Sequence, residues 1–341
     1  MPVRACKHWV VLLTGFLTFA QVASDALEHG AHPEAHTEWW YLSGTLTTEA
    51  GTLLGLQATW FRLAEGRLIF HGALAQPDTS AFVFTQAVCR VEIDCEPAAT
   101  DRLAIAVGPH RLRRRDDGVF ELVAQIDGST AALELRPTRP PILHGEGGQV
   151  AKGPGPEDAY THVSMPRMIT TGTLTRPDGS VWRLRGAVWY DYEFGRRPIG
   201  ALLQGWDWFS VSLSDGTDLM LYRLRGHDQE RQVGTLADGD HTVVHLAADA
   251  FSVTASGSWR SPQSGATYPS GWRIQIPQAQ LQLSVEPLLA DQELRTAETT
   301  GITYWEGLCR YAGTRAGHPV EGLGYVELVG YAGPLTVQAP Q

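Results

Sequence analysis

GTLTRPDG (Gly172–Gly179) leads into WRLRGAVWYDY (Trp182–Tyr192), and these two segments decide the fold. Through the second, polar and apolar residues alternate with the period of two that marks a strand, not the 3.6 of a helix. Pro177-Asp178-Gly179 before it has the chemistry of a tight reversal, since glycine takes positive φ at no steric cost. GTLTTEAG (Gly44–Gly51) repeats the opening far upstream and leads into TLLGLQATWF (Thr52–Phe61). Each copy thus feeds a strand ending in aromatics, Trp60-Phe61 and Trp189-Tyr190. Outward from these, RLAIAVG (Arg102–Gly108), VFELVAQID (Val119–Asp127), WRIQIP (Trp272–Pro277) and AQLQLSVEP (Ala279–Pro287) keep the same alternation between Gly, Asp and Pro turns. The chain reads as all-β and antiparallel, a barrel or sandwich. The recurrence predicts two similar β domains joined by the Pro/Gly-rich stretch Pro137–Pro156, the first over about His29 to Pro140 and the second over about Gln149 to Tyr331.

Composition narrows the function. With 341 residues, 43% hydrophobic and 19% charged, the chain can bury a sizeable core, which excludes disordered and fibrous classes. A net charge of −10 argues against nucleic acid as a partner. The basic run Arg111–Arg115 is answered at once by Asp116 and Asp117 and reads as a solvated hairpin face. Arg4 and Lys7, the apolar run Trp9–Ala20 and the small residues Ala23, Ser24 and Ala26 follow the order of a secretory signal peptide over residues 1–26. Cleavage after Ser24 or Ala26 is expected, giving a secreted or periplasmic protein. Cys89 and Cys95 flank a short turn and are candidates for pairing in such a compartment, while Cys309 sits in an apolar strand and reads as a buried thiol. Nothing in the sequence sets an oligomeric state.

Three aromatic–acid clusters carry the candidate chemistry: HTEWWY (His36–Tyr41), AVWYDYEFG (Ala187–Gly195) and GWDWFSVSLSDG (Gly205–Gly216), with TYWEG (Thr303–Gly307) a weaker fourth. Rings lining a barrel make an apolar cavity for one small ligand. An acid held there loses solvation and stays protonated towards neutral pH. It would then be suited to protonating an alkene, with nearby ring faces stabilising the cation. Trp39, Trp40, Tyr41, Tyr190, Trp206, Trp208 and Trp305 are the candidate ligand wall. The bland alternatives stay open. Strict alternation puts Asp191 on the face of Arg183 and Arg185, where an ion pair would keep it ionised and structural. Asp207 reads as a loop or capping acid, and Glu38 as a hydrogen-bond acceptor for backbone across a barrel mouth. The tryptophans also suit packing between barrels. His29, His32 and His36 have metal-ligand spacing on a helix, but Pro33 and the absence of helical pattern speak against that geometry, so no metal is expected. No GxSxG, HExxH, phosphate loop or dinucleotide fingerprint is present, and no cofactor is expected.

HGAHPEAHTEWWYLSGTL (His29–Leu46), KGPGP (Lys152–Pro156), WYDYEFG (Trp189–Gly195), GWDWFSVSLSDGTDLMLYRLR (Gly205–Arg225), DQEL (Asp291–Leu294), YWEG (Tyr304–Gly307) and GYVELVGY (Gly324–Tyr331) together resemble the carotenoid 1,2-hydratase family. The resemblance covers essentially the whole chain after the leader. It implies two consecutive lipocalin-like antiparallel β-barrels and cofactor-free, acid-catalysed hydration of a terminal alkene. It places the proton donor at Asp191 with Trp189 as an aromatic of the same site, and YTHVSMPRM (Tyr160–Met168) adds Tyr160 and His162 to the ligand-facing set. The implied partner is a hydrophobic isoprenoid, carotenoid or lipid-like molecule. The alternative function is non-catalytic carriage of such a ligand, alongside an envelope ABC transporter.

Overall fold

The computed structural model describes residues 29–335. The expected signal peptide lies outside them, and no helix among the described residues is long and apolar enough to cross a membrane.

Strands β1 (Thr37–Thr48), β2 (Leu53–Leu63), β3 (Arg67–Gln76), β4 (Ala81–Arg90), β5 (Ala104–Val107) and β6 (His110–Arg114) come first. They are followed by β7 (Phe120–Ile126), β8 (Ser129–Arg136), β9 (Ile142–Leu143), β10 (Gln149–Ala151), β11 (Ala159–Thr175) and β12 (Val181–Gly195). These form one sheet in the order β4-β3-β2-β1-β12-β11-β8-β7-β6-β5, with β9 and β10 added beside β11, curled into a nearly closed barrel. A short helix α1 (Ile199–Leu202) then leads into β13 (Leu203–Leu213), β14 (Asp218–Gly226), β15 (Glu230–Ala237), β16 (Val243–Leu246), β17 (Ser252–Ala255) and β18 (Ser258–Arg260). The chain ends with β19 (Thr267–Pro269), β20 (Trp272–Ile276), β21 (Leu281–Pro287), β22 (Glu293–Arg295), β23 (Thr303–Arg315) and β24 (His318–Val329). The second sheet, β16-β15-β14-β13-β24-β23-β21-β20-β17 with β22 beside β23, is a half barrel, and β18 and β19 pair separately. All the ladders are antiparallel, as alternation and short turns require. The all-β, two-barrel reading therefore holds.

The division between the halves differs from the expected one at residues 140–149. β11 and β12 pair with β8 and β1, so the first sheet continues to Gly195 and the change of sheet falls at residues 196–202. Both GTLT segments lie in the first sheet, in β1 and β11, each paired to β12. The repeated motif marks two neighbouring hairpin arms of one barrel, not one copy per barrel.

Three apolar cores result. Trp40, Leu42, Trp60, Phe70, Phe120, Tyr190 and Tyr192 fill the first barrel. Phe209, Val211, Trp272, Ile274, Trp305 and Tyr311 fill the hollow of the second sheet. The third lies between the sheets and holds Tyr41, Trp189, Trp208, Met220, Tyr222, Leu308 and Tyr325. Close approach there needs glycine at 55: a Cβ at this position would stand 2.6 Å from the Tyr325 hydroxyl of the facing sheet. Cys89 and Cys95 form a disulfide, and Cys309 is buried and free.

Candidate functional site

Between the sheets lies a cavity of about 80 Å³ whose walls come from both. Thr37, Trp39 and Tyr41 of β1, Phe61 of β2 and Asp191 of β12 form one wall. Trp206 and Trp208 of β13, Tyr222 of β14, Tyr304 of β23 and Glu327 of β24 form the other, with Ile199 of α1 at the side. On a scale where one water needs ~10–15 Å³, this holds a few small groups beside a water. A larger space of about 490 Å³ opens between the same sheets, with Trp189 and Tyr325 in its wall.

Strand parity explains who faces it. In β1 the odd residues look out of the barrel and the even ones, Trp40 and Leu42, look in; in β12 Trp189, Asp191 and Glu193 look out and Tyr190 and Tyr192 look in. Asp191 is thus on the face of Arg183 and Arg185, as alternation requires, but both arginines are exposed and neither pairs with it. The second sheet covers the outer face at this end, and Asp191 is buried there.

Its Oδ1 accepts a short hydrogen bond from the Ser164 hydroxyl and one of 2.8 Å from the Trp189 indole N–H. Ser164 Oγ also lies 2.6 Å from His144 Nε2, whose Nδ1 is 2.9 Å from Thr235 Oγ1. His162 is fully buried, with Nε2 3.4 Å from Asp191 Oδ2 and Nδ1 3.6 Å from Glu193 Oε2, neither in hydrogen-bond geometry. Lys152 Nζ pairs with Glu193 Oε1 at 2.7 Å and sits 3.9 Å from the Tyr222 ring centroid. Both partners are nearly inaccessible, so removing one strands the other in a low-dielectric site. Lys152→Met, which keeps the volume, is expected to cost about 3–5 kcal/mol of stability. Urea unfolding should show this, with part of it restored by adding Glu193→Gln.

The cavity also holds an acid that sequence reasoning did not single out, and a second stands beside it. Glu327 of β24 is half-buried with its open side on the cavity, and its Oε2 accepts the Trp206 indole N–H at 2.7 Å. Glu306 of β23 stands opposite it in cross-strand register and is buried. Burial, reinforced by the Glu327 charge, holds the Glu306 carboxyl well above the usual range. Burial, with charge from Glu193 and Asp191, raises Glu327 to about 7 against the Trp206 hydrogen bond and Lys152, which lower it. Each is a single acid in an aromatic strand, YVELV and TYWEGL, and that contrast was the available signal.

The sequence candidates divide three ways. Asp191, Trp39, Tyr41, Trp206 and Trp208 line the cavity. Trp189, Tyr160 and His162 stand beside it, Trp189 holding Asp191 and Tyr160 packed 5.8 Å from Trp39. Trp40 and Tyr190 lie inside the first barrel and Trp305 inside the second sheet, because parity turns them to the opposite face. Asp207 is neither loop nor cap: on β13 it is clasped by Arg225 and, at 3.4 Å, by Arg223, and accepts the Tyr331 hydroxyl at 2.9 Å. Glu38 accepts the His32 backbone N–H at 3.0 Å together with Arg62 at 2.7 Å. His29 packs edge-on to Phe120, Tyr190 and Tyr192, and His32 bonds Tyr192 and Glu38, so those histidines are not gathered around one point. His144, His162 and Asp191 do converge, their ligand-type atoms within 4.8 Å of one another.

A two-sheet, lipocalin-like β protein with carboxyl groups in an aromatic cavity between its barrels is the class that the fold and site define. The chain belongs to the AttH-like family, whose model matches residues 24–331. It is similar to the AttH-type protein of Nitrosomonas europaea, at 32% identity over 89% of this chain and 95% of that one, with a TM-score of 0.81. The kievitone hydratase of Nectria haematococca shares the fold at 19% identity, with coverage of 89% and 92% and a TM-score of 0.75. CghA, solved with Sch210972, shares it at 13% identity, 90% coverage of each chain and a TM-score of 0.58. No curated protein matches the chain by sequence.

Proposed function

We propose that this protein adds water across an alkene of a small apolar, isoprenoid- or polyene-like molecule, by carboxyl acid–base chemistry and without a cofactor, in the cavity between its barrels. The observation that carries this is the placement of Asp191 in a ring-lined cavity, free of any guanidinium. Family membership and the fold shared with a kievitone hydratase support it. Trp39, Tyr41 and Trp208 line the cavity and supply aromatic rings beside a developing cation. The small cavity suits the reacting end of such a molecule. Carriage alone would need only apolar walls, and buried carboxyls would weaken it; the acids in the cavity favour chemistry. We also place the protein in an exported compartment, on the N-terminal charge and apolar pattern and the Cys89–Cys95 disulfide.

Purified protein incubated with an acyclic carotenoid such as lycopene should yield a water adduct by mass analysis. Asp191→Asn should lower its rate by about 10²–10⁴-fold. Absence of adduct with every acyclic terpene tried, or equal turnover by the variant, would refute the proposal.

A further inference from the structure

The two cavity carboxyls come from facing walls, Asp191 from β12 and Glu327 from β24, and their surroundings differ in kind. Asp191 sits among donors: Ser164 and Trp189 both donate to Oδ1, and His162 stands 3.4 Å from Oδ2. Ser164 is itself held by His144. Glu327 has one donor, Trp206, and stands among acids: Glu306 across the ladder and Glu193 and Asp191 from β12. Lys152 is the cation near it, but is bound to Glu193. Tyr41, Tyr222 and Tyr304 are held neutral, burial pushing each phenol well above its ordinary value.

We propose that Glu327 is the proton donor of the addition and Asp191 the base, the reverse of the role that the family resemblance implies for Asp191. The assignment rests on the hydration reading above and deepens it. Burial with like charge raises Glu327 to about 7, which lets it hold a proton to give, and Asp191 faces it across the cavity. In the step, the Glu327 O–H bond breaks as a C–H bond forms on one alkene carbon. The oxygen of a cavity water bonds to the adjacent cationic carbon, and the Asp191 carboxylate takes the proton from the resulting oxonium. Asp191 then returns that proton to the Glu327 carboxylate through cavity water, so no net proton is consumed.

Infrared titration of the ligand-free protein, paired with lycopene turnover against pH, tests this. A carboxylic-acid C=O band should disappear with a midpoint near pH 7 in the wild type, persist with a lower midpoint in Asp191→Asn, which removes one charge that raises it, and be missing from Glu327→Gln. Turnover should fall as pH rises through about 7, and Glu327→Gln should lose about 10²–10⁴-fold. A titrating band that survives Glu327→Gln but vanishes in Asp191→Asn, or turnover that rises through pH 7, would overturn the donor assignment. A band that behaves as expected with no adduct from any acyclic terpene would overturn the hydration reading and leave the neutral Glu327 intact.

Discussion

Replacing Asp218 with alanine is expected to lower the unfolding free energy by about 2–3 kcal/mol, the cost of leaving two half-buried guanidiniums without their shared counter-ion. Asp218 opens β14, is fully buried, and receives two arginines from the first half of the chain. Arg167 reaches it at 2.7 Å from a bulge in β11 where the register shifts between Met165 and Met168 and Arg167 takes a φ of 57°. That departure from the ladder re-aims a side chain at the neighbouring sheet, a common use of a bulge. The same guanidinium donates to the carbonyls of Leu213 and Thr217, while Arg139 bonds Asp218 and the carbonyl of Gly216. Ser212 Oγ supplies a further donor at 2.6 Å. The alanine variant removes the acceptor all three share, on a joint tying the first barrel to the β13–β14 turn. Urea denaturation gives the answer, and a loss below about 1 kcal/mol would show that the joint is not a structural tie.

Stability should peak near pH 6.5 and fall on the acid side. Burial lowers His29 and His71 to about 3 and His110 to about 4, and holds His144 well below its ordinary value. Their folded pKa values lie below 6.5, so under that pH the unfolded chain takes up four protons that the folded chain refuses. This stability is complete above pH 6.5 and is lost as pH falls. Glu306 and Glu327 act in the opposite sense: raised above 4.5, they keep two protons in the folded state that the unfolded chain releases. Between pH 4.5 and 6.5 the unfolded chain therefore binds about two protons more. Above 6.5 the histidine contribution is complete and no longer changes with pH, while the two acids make stability decline. Thermal melts across pH 4.5–8 measure the curve; a flat profile between pH 4.5 and 6.5 would mean that these side chains are hydrated.

The strands themselves were legible, because period-two alternation and Gly/Asp turns act locally. The sheet change was not: GTLT recurs on arms of one barrel, and pairing β11 with β8 depends on contacts remote in sequence. The parity of Asp191 followed from alternation alone. Its burial did not, since the covering surface comes from β13, β14 and β24. A trace of that burial stands in the sequence all the same. Trp39-Trp40-Tyr41 and Val188–Tyr192 lose polar alternation where both strand faces are covered, as strands buried on both sides do. The same parity separates the ring wall: Trp40, Tyr190 and Trp305 belong to barrel interiors, and Trp39, Tyr41 and Trp208 to the space between. Glu327 stands as a lone acid in the apolar strand YVELV, a contrast whose meaning depends on the neighbouring sheet that encloses it.

The most direct measurement is a crystal structure of the protein with a tertiary terpenoid alcohol, the product type of the proposed addition. The hydroxyl should lie between the sheets, within hydrogen-bond reach of Asp191 or Glu327, with its methyl groups against Trp39, Tyr41 and Trp208. An alcohol seated inside the first barrel against Trp40 and Tyr190, or beneath the second sheet against Trp305, would contradict the inter-sheet site.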